Sequence, residues 1–125
     1  MRQITVENKT HPLSQPVRAK YCVSFLCQLR GLTFRRSLDI QEGLLLVQKR
    51  ESVIDSSIHM LAVGMDLAVI WIGSQLNVVD TCLARSWRPV YFPKIPARYV
   101  LEISASRLEE FQPGDQLEFC DTNYG

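Results

Sequence analysis

The chain has 125 residues, of which 46% are apolar and 22% are charged, and its formal net charge is +1. These values fit one globular domain spanning residues 1–125 and exclude intrinsic disorder and collagen-like repeats. The sequence contains no run of about 18 apolar residues that could cross a membrane. The first seven residues show no signal peptide, so a cytoplasmic location is predicted.

The charge is unevenly distributed along the chain. Positions 1–50 carry nine basic and three acidic residues, whereas positions 51–125 carry five basic and ten acidic residues. A basic half can contact nucleic acid, and residues 9–36 would then form the contact surface. One folded domain, however, brings both halves together and mixes their charges. Nucleic-acid binding is therefore not favoured.

The four cysteines are expected to be reduced and free of metal. The sequence shows no export signal, which argues against disulfides. Zinc ligands usually come as closely spaced pairs, and only Cys22 and Cys27 are close in sequence. If that stretch were helical, five residues would turn the chain through about 500° and point the two thiols apart. Buried free thiols are therefore favoured over a zinc site.

The first half of the chain alternates between short extended segments and one helix. Gln3–Val6 has the alternation of a strand, which His11–Pro12 interrupts. Residues 17–21, which follow Pro16, are expected to be extended. Phe25 then begins a stripe of apolar residues spaced four and three apart, which predicts a short helix. Gly31 lies where such a helix would end.

The centre of the chain predicts a β-hairpin. A buried strand, Leu44–Val47, precedes it and is expected to end at the charges that follow. Asp66–Ile72 and Gln75–Ala84 are both strand-like, and Gly73–Ser74 between them suits a two-residue turn. This turn would place Ile72 opposite Gln75 and Leu67 opposite Asp80. Asp66 and Asp80 would then lie on opposite faces of the sheet, which disfavours a mechanism that uses two convergent carboxylates.

The last third predicts a proline-rich loop, two strands and a helix. Three prolines make Trp87–Ala97 an ordered loop or sheet edge. Residues 99–103 alternate as a strand with one fully apolar face, and Ser106–Glu109 forms a capping box that opens a short helix. Pro113–Asp115 turns the chain into a strand over Gln116–Cys120. The predicted fold class is α+β, with a mostly antiparallel β-sheet, a partial barrel as its curled form, and two short helices.

Standard catalytic motifs are absent from the sequence. His59, Asp66 and Asp80 interrupt apolar segments, so each needs a polar partner or an opening to solvent. His59 and Asp66 bracket six apolar residues that include Gly64, and a tight reversal there would bring the two side chains together. Such a pair would shift the histidine pKa across the physiological range. The alternative is structural, with Asp66 accepting backbone hydrogen bonds and His59 filling space.

Cations and aromatic residues alternate between Arg85 and Lys94, with Trp87 and Tyr91 among them. Such a stretch can stack nucleic-acid bases, or it can be a loop that aromatic residues fasten to the domain. The second interpretation is favoured because the sequence has no RNA-binding signature.

Several short motifs together resemble a known family. They are, in chain order, Arg30–Arg36, Glu42–Leu45, Ile58–Met60, Asp66, Val78–Asp80, Pro93–Pro96, Ala97–Glu102 and Gly114–Asp115. Their order and spacing are similar to the bacterial and archaeal domain-of-unknown-function family 192 (DUF192), over about residues 18–119. The resemblance implies a compact β-rich domain and no particular activity.

The sequence departs from that family in its central motif. The family pattern often has a tryptophan at the position of His59, followed after the methionine by Lys-Asn-Thr. Here Leu61–Val63 replaces that polar trio. A binding role carried by the trio is therefore not expected in this chain.

Two hypotheses about function remain. The favoured one is a non-catalytic binding or accessory module for an unknown ligand or protein partner, without a cofactor, a metal or a membrane. The alternative is a small enzyme in which His59 is the acid or base and Arg30 or Arg36 holds an anionic substrate. The candidate binding residues are Arg30, Arg36, His59, Asp66, Trp87 and Tyr91.

Overall fold

The structure is a computed structural model that describes residues 2–24, 27–28, 32, 35–60, 63–86 and 88–121. Its elements are β1 (Gln3–Asn8), β2 (Val17–Cys22), β3 (Glu42–Ser52), β4 (Ile58–His59), β5 (Leu67–Ile72), β6 (Val78–Ala84), β7 (Val90–Tyr91), β8 (Ala97–Ser104), a 3-10 helix (Ala105–Glu110) and β9 (Leu117–Asp121). None of the described helical segments has the length and hydrophobicity that crossing a bilayer requires.

Seven strands form one sheet in the order β6-β5-β8-β3-β2-β1-β9. Neighbouring strands are antiparallel except for β2 and β3, which are parallel. The sheet curls so that its two outermost strands approach each other. Asn77 bridges to Gln116 at this seam, and the Val78 N–H donates to the Asp115 carbonyl over 2.8 Å. The predicted mostly antiparallel, curled sheet is confirmed as a half-barrel.

The inner face of the half-barrel carries the first hydrophobic core. Alternate residues of each strand point inward, as the period of two in a strand dictates. Ile70 and Leu101, for example, are cross-strand neighbours on this face, and both are fully buried. Phe111, just after the 3-10 helix, covers the same core.

A second core lies on the outer face of strands β3, β8 and β5. Leu46, Val69 and Val100 point outward and are buried, together with Ile58 and Met60 from the loops. The loops that cover this face are the described residues of 23–41, 53–66 and 85–96, here called the covering layer. Part of this layer follows from topology, because the parallel pair β2–β3 needs a crossover that spans one face of the sheet.

The predicted hairpin turn is wrong in length. Gly73 N–H donates to the Asn77 carbonyl over 2.8 Å, so the turn is longer than two residues, and a register shift follows within the hairpin. Asp80 therefore lies opposite Trp71 rather than Leu67. Because Leu67 and Trp71 are four residues apart in one strand, Asp80 keeps the face that was predicted for it. The strand β3 also continues through Lys49, Arg50 and Glu51, the charged residues that were expected to end it.

The helices differ from the prediction. The second helix is a 3-10 helix that begins at Ala105, and no side chain caps it. The expected capping box fails because Ser106 lies inside the helix, where its hydroxyl contacts that of Ser104 over 3.0 Å. Most of the first predicted helix lies outside the described residues, although Cys27 and Gln28 are helical.

The expectation of four reduced cysteines is wrong. Cys22 and Cys27 form a disulfide, with their Cα atoms 5.8 Å apart, whereas Cys82 and Cys120 are free. The prediction assumed one continuous helix, but Cys22 ends the strand β2 and the chain turns before Cys27. The Ser24 hydroxyl accepts the Cys27 N–H over 3.1 Å in this turn, which brings the two sulfur atoms together.

Candidate functional site

A small cavity lies between the covering layer and the outer face of the sheet. Its volume is about 50 Å³, which is room for a few water molecules. The residues that line it are Gln28, Leu32, Leu46, Ser57, Ile58, His59, Val63 and Glu102.

Glu102 is the most unusual group in this cavity. It lies on β8 between Leu44 of β3 and Val69 of β5, both apolar, and only 5% of it is exposed. No described residue donates a hydrogen bond to its carboxyl group. Burial disfavours the charged form and raises the pKa of Glu102 to about 7. This side chain therefore changes its charge near neutral pH.

Two other polar side chains of the cavity, Gln28 and Ser57, are already committed to hydrogen bonds. The Gln28 side-chain amide donates to the carbonyls of Cys22, Val23 and Val47, at 3.2, 3.2 and 2.8 Å. Its oxygen accepts a hydrogen bond from the Gln48 side chain over 3.0 Å. The Ser57 hydroxyl donates to the Ile54 carbonyl over 2.7 Å. These bonds fix which atoms each group can still offer to a ligand.

His59 is half-buried on β4 and pairs with Val90 of β7. Asp66 does not pair with it. Its two oxygens accept hydrogen bonds from the Ser86 N–H and the Arg85 guanidinium, each over 3.0 Å. The Ser86 hydrogen bond is the main cause of the lowered pKa of Asp66. The Val63 N–H donates to the Met60 carbonyl over 3.1 Å just before Gly64, but this turn does not join His59 to Asp66. Gly64 itself allows a close approach, since a Cβ there would lie 2.9 Å from the Arg35 carbonyl oxygen.

The remaining candidate residues are dispersed. Arg36 is exposed and does not line the cavity. Arg30 and Trp87 lie outside the described residues. The Tyr91 hydroxyl accepts the Arg85 N–H over 2.7 Å, and the Arg88 guanidinium lies 4.9 Å from the centre of the Tyr91 ring. The structure thus joins Tyr91 and Asp66 through Arg85.

Residues 85–96, here called the proline loop, are fastened at both ends by carboxylates. Asp66 holds Arg85 and Ser86, and Asp80 accepts the Lys94 N–H over 2.9 Å. The loop nevertheless exposes large apolar side chains to solvent. They are Val90, Phe92 and Ile95, with 40%, 57% and 48% of their surface exposed.

Sequence reasoning missed Glu102 as a site residue. It assigned residues 99–103 to a strand with one fully apolar face and gave Glu102, on the other face, no role. The sequence of β3, the strand next to Glu102, indicated its burial. Leu44 and Leu45 are both apolar, although they point to opposite faces of the sheet. A strand that is apolar on both faces is covered on both, and a carboxylate on its neighbour is then buried.

The charges of the two halves interleave, as expected. Arg2 pairs with Asp121 at 3.2 Å, and Lys9 pairs with Glu118 at 3.6 Å. These contacts neutralise part of the basic N-terminal half. Among the described residues, no group of three or more His, Cys, Asp or Glu side chains is placed to hold a metal ion.

Comparison with known proteins identifies a family. The model of DUF192, described as Uncharacterized ACR, matches residues 4–119. A UPF0127 protein of Thermococcus kodakarensis is 32% identical over 117 residues, which are 92% of this chain and 73% of the relative. A UPF0127 protein of Pyrococcus furiosus is 30% identical over 105 residues, which are 82% of this chain and 87% of the relative.

Two crystal structures share the fold. A Sinorhizobium meliloti protein proposed to be a transcription regulator has a TM-score of 0.78 at 17% identity, covering 94% of this chain and 92% of that one. A protein of unknown function from Novosphingobium aromaticivorans has a TM-score of 0.76 at 24% identity, covering 93% of this chain and 83% of that one. At these identities the likeness concerns the fold alone.

Proposed function

The chain belongs to DUF192, a family of uncharacterised proteins, and we propose that it is a non-catalytic binding module whose proline loop contacts a protein partner. The observation that carries the proposal is the combination of a fixed backbone with exposed apolar side chains. Loops held in one conformation lose little entropy on binding, and exposed apolar patches are typical of interaction sites.

The charge of this surface defines the partner. Residues 85–101 contain Arg85, Arg88, Lys94 and Arg98 and no acidic residue. Arg85 is paired with Asp66, but no described acidic side chain lies within ion-pair distance of Lys94 or Arg88. The partner is therefore a protein segment that combines acidic and large apolar residues.

Selection from a random peptide display library tests this proposal. We expect the selected peptides to be rich in Asp, Glu and large apolar residues. Fluorescence anisotropy should then show binding at least about tenfold weaker to the variants Phe92→Ser and Lys94→Glu, as expected for central interface residues.

Ile40→Ser is the matched control. Ile40 is 44% exposed and precedes the start of β3, whereas the proline loop reaches the other end of that strand, where Ser52 pairs with Ala97. Ile40→Ser should bind the peptides like the wild type. Equal binding by Phe92→Ser and wild type, or a selection that enriches no peptide, would contradict the proposal.

A small enzyme is the second candidate, because His59 and Glu102 line the same cavity. Two titratable groups in one cavity are a common arrangement for acid–base chemistry. Arg36 is exposed and does not line the cavity, so it does not hold the anionic substrate there. A thermal-shift screen of small carboxylates and phosphates tests this function. Stabilisation by an anion that disappears in His59→Ala would support it, and no stabilisation by any of them would exclude it.

A further inference from the structure

We propose that the cavity under the covering layer binds a primary ammonium group, with Glu102 as its counter-ion. The ammonium group could belong to a free alkylamine or to a lysine side chain of another protein. The side chains that line this cavity are not those exposed on the proline loop, so neither proposal depends on the other.

Glu102 has no cationic partner among the residues that the structure describes. It is buried between apolar neighbours, and none of the eight described residues that line the cavity is Lys or Arg. Carboxylates in such surroundings are normally paired, because an isolated buried charge is costly. The cavity beside Glu102 provides space for the partner that the described residues do not supply.

Gln28 and Ser57 offer acceptors rather than donors to the cavity. The amide hydrogens of Gln28 are directed to three backbone carbonyls, and its oxygen has one lone pair left beside the bond from Gln48. The Ser57 hydroxyl has given its hydrogen to the Ile54 carbonyl, so it too can only accept. With the Glu102 carboxylate, these two oxygens match the three donors of an ammonium group.

The size of the cavity and its ligand atoms favour an ammonium group over other ligands. A volume of about 50 Å³ suits an ammonium group with a short alkyl stem, which would contact Leu32, Leu46, Ile58 and Val63. Drug-sized ligands need several hundred Å³. A divalent metal would need more oxygen, nitrogen or sulfur ligands than one carboxylate and its neighbours provide. A quaternary ammonium ion cannot donate the hydrogen bonds that these walls accept.

Isothermal titration calorimetry of the whole chain with methylammonium chloride at pH 8.5 tests the site. At this pH the amine remains protonated and Glu102 is ionised. We expect saturable binding of methylammonium and none of tetramethylammonium at equal ionic strength. Nα-acetyl-lysinamide distinguishes the two sources, because it binds only if a lysine side chain can enter the cavity.

The variant Glu102→Gln keeps the shape of the side chain and removes its charge. It should bind methylammonium at least about tenfold more weakly, because a charged hydrogen-bond partner is lost. The control Glu109→Gln removes an exposed carboxylate and should bind like the wild type. Retained folding of Glu102→Gln is checked by circular dichroism and by its thermal unfolding.

The pH dependence of binding provides a second measurement on the unaltered protein. Among the described lining residues, His59 is the other titratable group, and the neighbours of Glu102 on β3 and β5 are Leu44 and Val69. Affinity should fall up to about tenfold per pH unit below the pKa of Glu102, as the carboxylate becomes protonated. The same slope should persist in His59→Ala. Undetectable methylammonium binding, equal binding of tetramethylammonium, or equal binding by Glu102→Gln would each overturn the proposal.

Discussion

Arg107 and Glu110 form a bidentate ion pair within the 3-10 helix. The Arg107 Nε and one of its terminal nitrogens donate to the two Glu110 oxygens over 2.8 and 3.1 Å, and Arg107 is fully buried. The same guanidinium donates to the backbone carbonyls of Ile40 and Gln15. One side chain therefore fastens two loops to the helix, and its positive charge depends on Glu110 for compensation.

Loss of Glu110 should destabilise the protein. The hydrogen bond from Arg107 lowers the pKa of Glu110 to about 2. An acid with a lowered pKa stabilises the folded state above its unfolded pKa, and that contribution is lost as the pH falls from about 4.5 to about 2. Glu110→Gln should lower the free energy of unfolding by about 3 kcal/mol at pH 7. It should also remove the loss of stability between about pH 4.5 and about pH 2, as measured by urea unfolding across this pH range. The control Glu109→Gln, at an exposed position, should change neither the free energy of unfolding at pH 7 nor its dependence on pH.

Glu102 should have the opposite effect in a different pH range. Its folded pKa is raised to about 7, so the folded state binds a proton more tightly than the unfolded state. Stability should therefore fall as the pH rises from about 4.5 to about 7, by about 3 kcal/mol in total. Glu102→Gln should remove this dependence and be more stable than the wild type at pH 8. A wild type whose stability is flat between pH 5 and 8 would contradict the burial of this carboxyl group.

The two carboxylates that fasten the proline loop should protect different amides. Asp66→Ala should speed hydrogen exchange at the Ser86 N–H by at least about tenfold, because the bond to a charged acceptor is lost. The Lys94 N–H should then be unaffected. Asp80→Ala should show the reverse pattern, so each variant is the control for the other. Uniform acceleration in both variants would mean that the loop opens as one unit.

The disulfide can be detected by counting reactive thiols with and without reductant. In denaturant without reductant, two thiols should react, those of Cys82 and Cys120, and reduction should raise the number to four. Replacing Cys22 and Cys27 by serine should cost about 2 kcal/mol, the loop-closure value for so short a ring. Cys120→Ser, at an exposed position, should change little. Four reactive thiols without reductant would show that the bond is absent.

The strands could be predicted because their signals are local. Alternation located Gln3–Val6, residues 99–103 and the final strand, and a continuous apolar run located Leu67–Ile72. The hairpin turn was misjudged, since the preferred Gly-Ser turn competes with a longer one closed by the Gly73–Asn77 hydrogen bond. Local preference does not decide between such turns when neighbouring strands fix the register.

The candidate site was largely beyond sequence reasoning, because it depends on long-range packing. Glu102 is buried only because the covering layer closes over the outer face of the sheet. The Cys22–Cys27 bond likewise depends on where the strand β2 ends. Asp66 was recognised as a residue that needs a partner, but its partners, Arg85 and Ser86, lie about twenty residues further along the chain.

The pairing of β1 with β9 determines when the half-barrel can be completed during synthesis. Ile4 lies opposite Asp121, and Asn8 lies opposite Leu117, so the last strand of this domain pairs with its first strand. Such pairings between distant parts of a chain form slowly, because a long loop must close before any contact is gained. On the ribosome, β1 and β2 must therefore wait with one unpaired edge until β9 has emerged. The charge of Glu7 on β1 disfavours the joining of that waiting edge to another copy of itself.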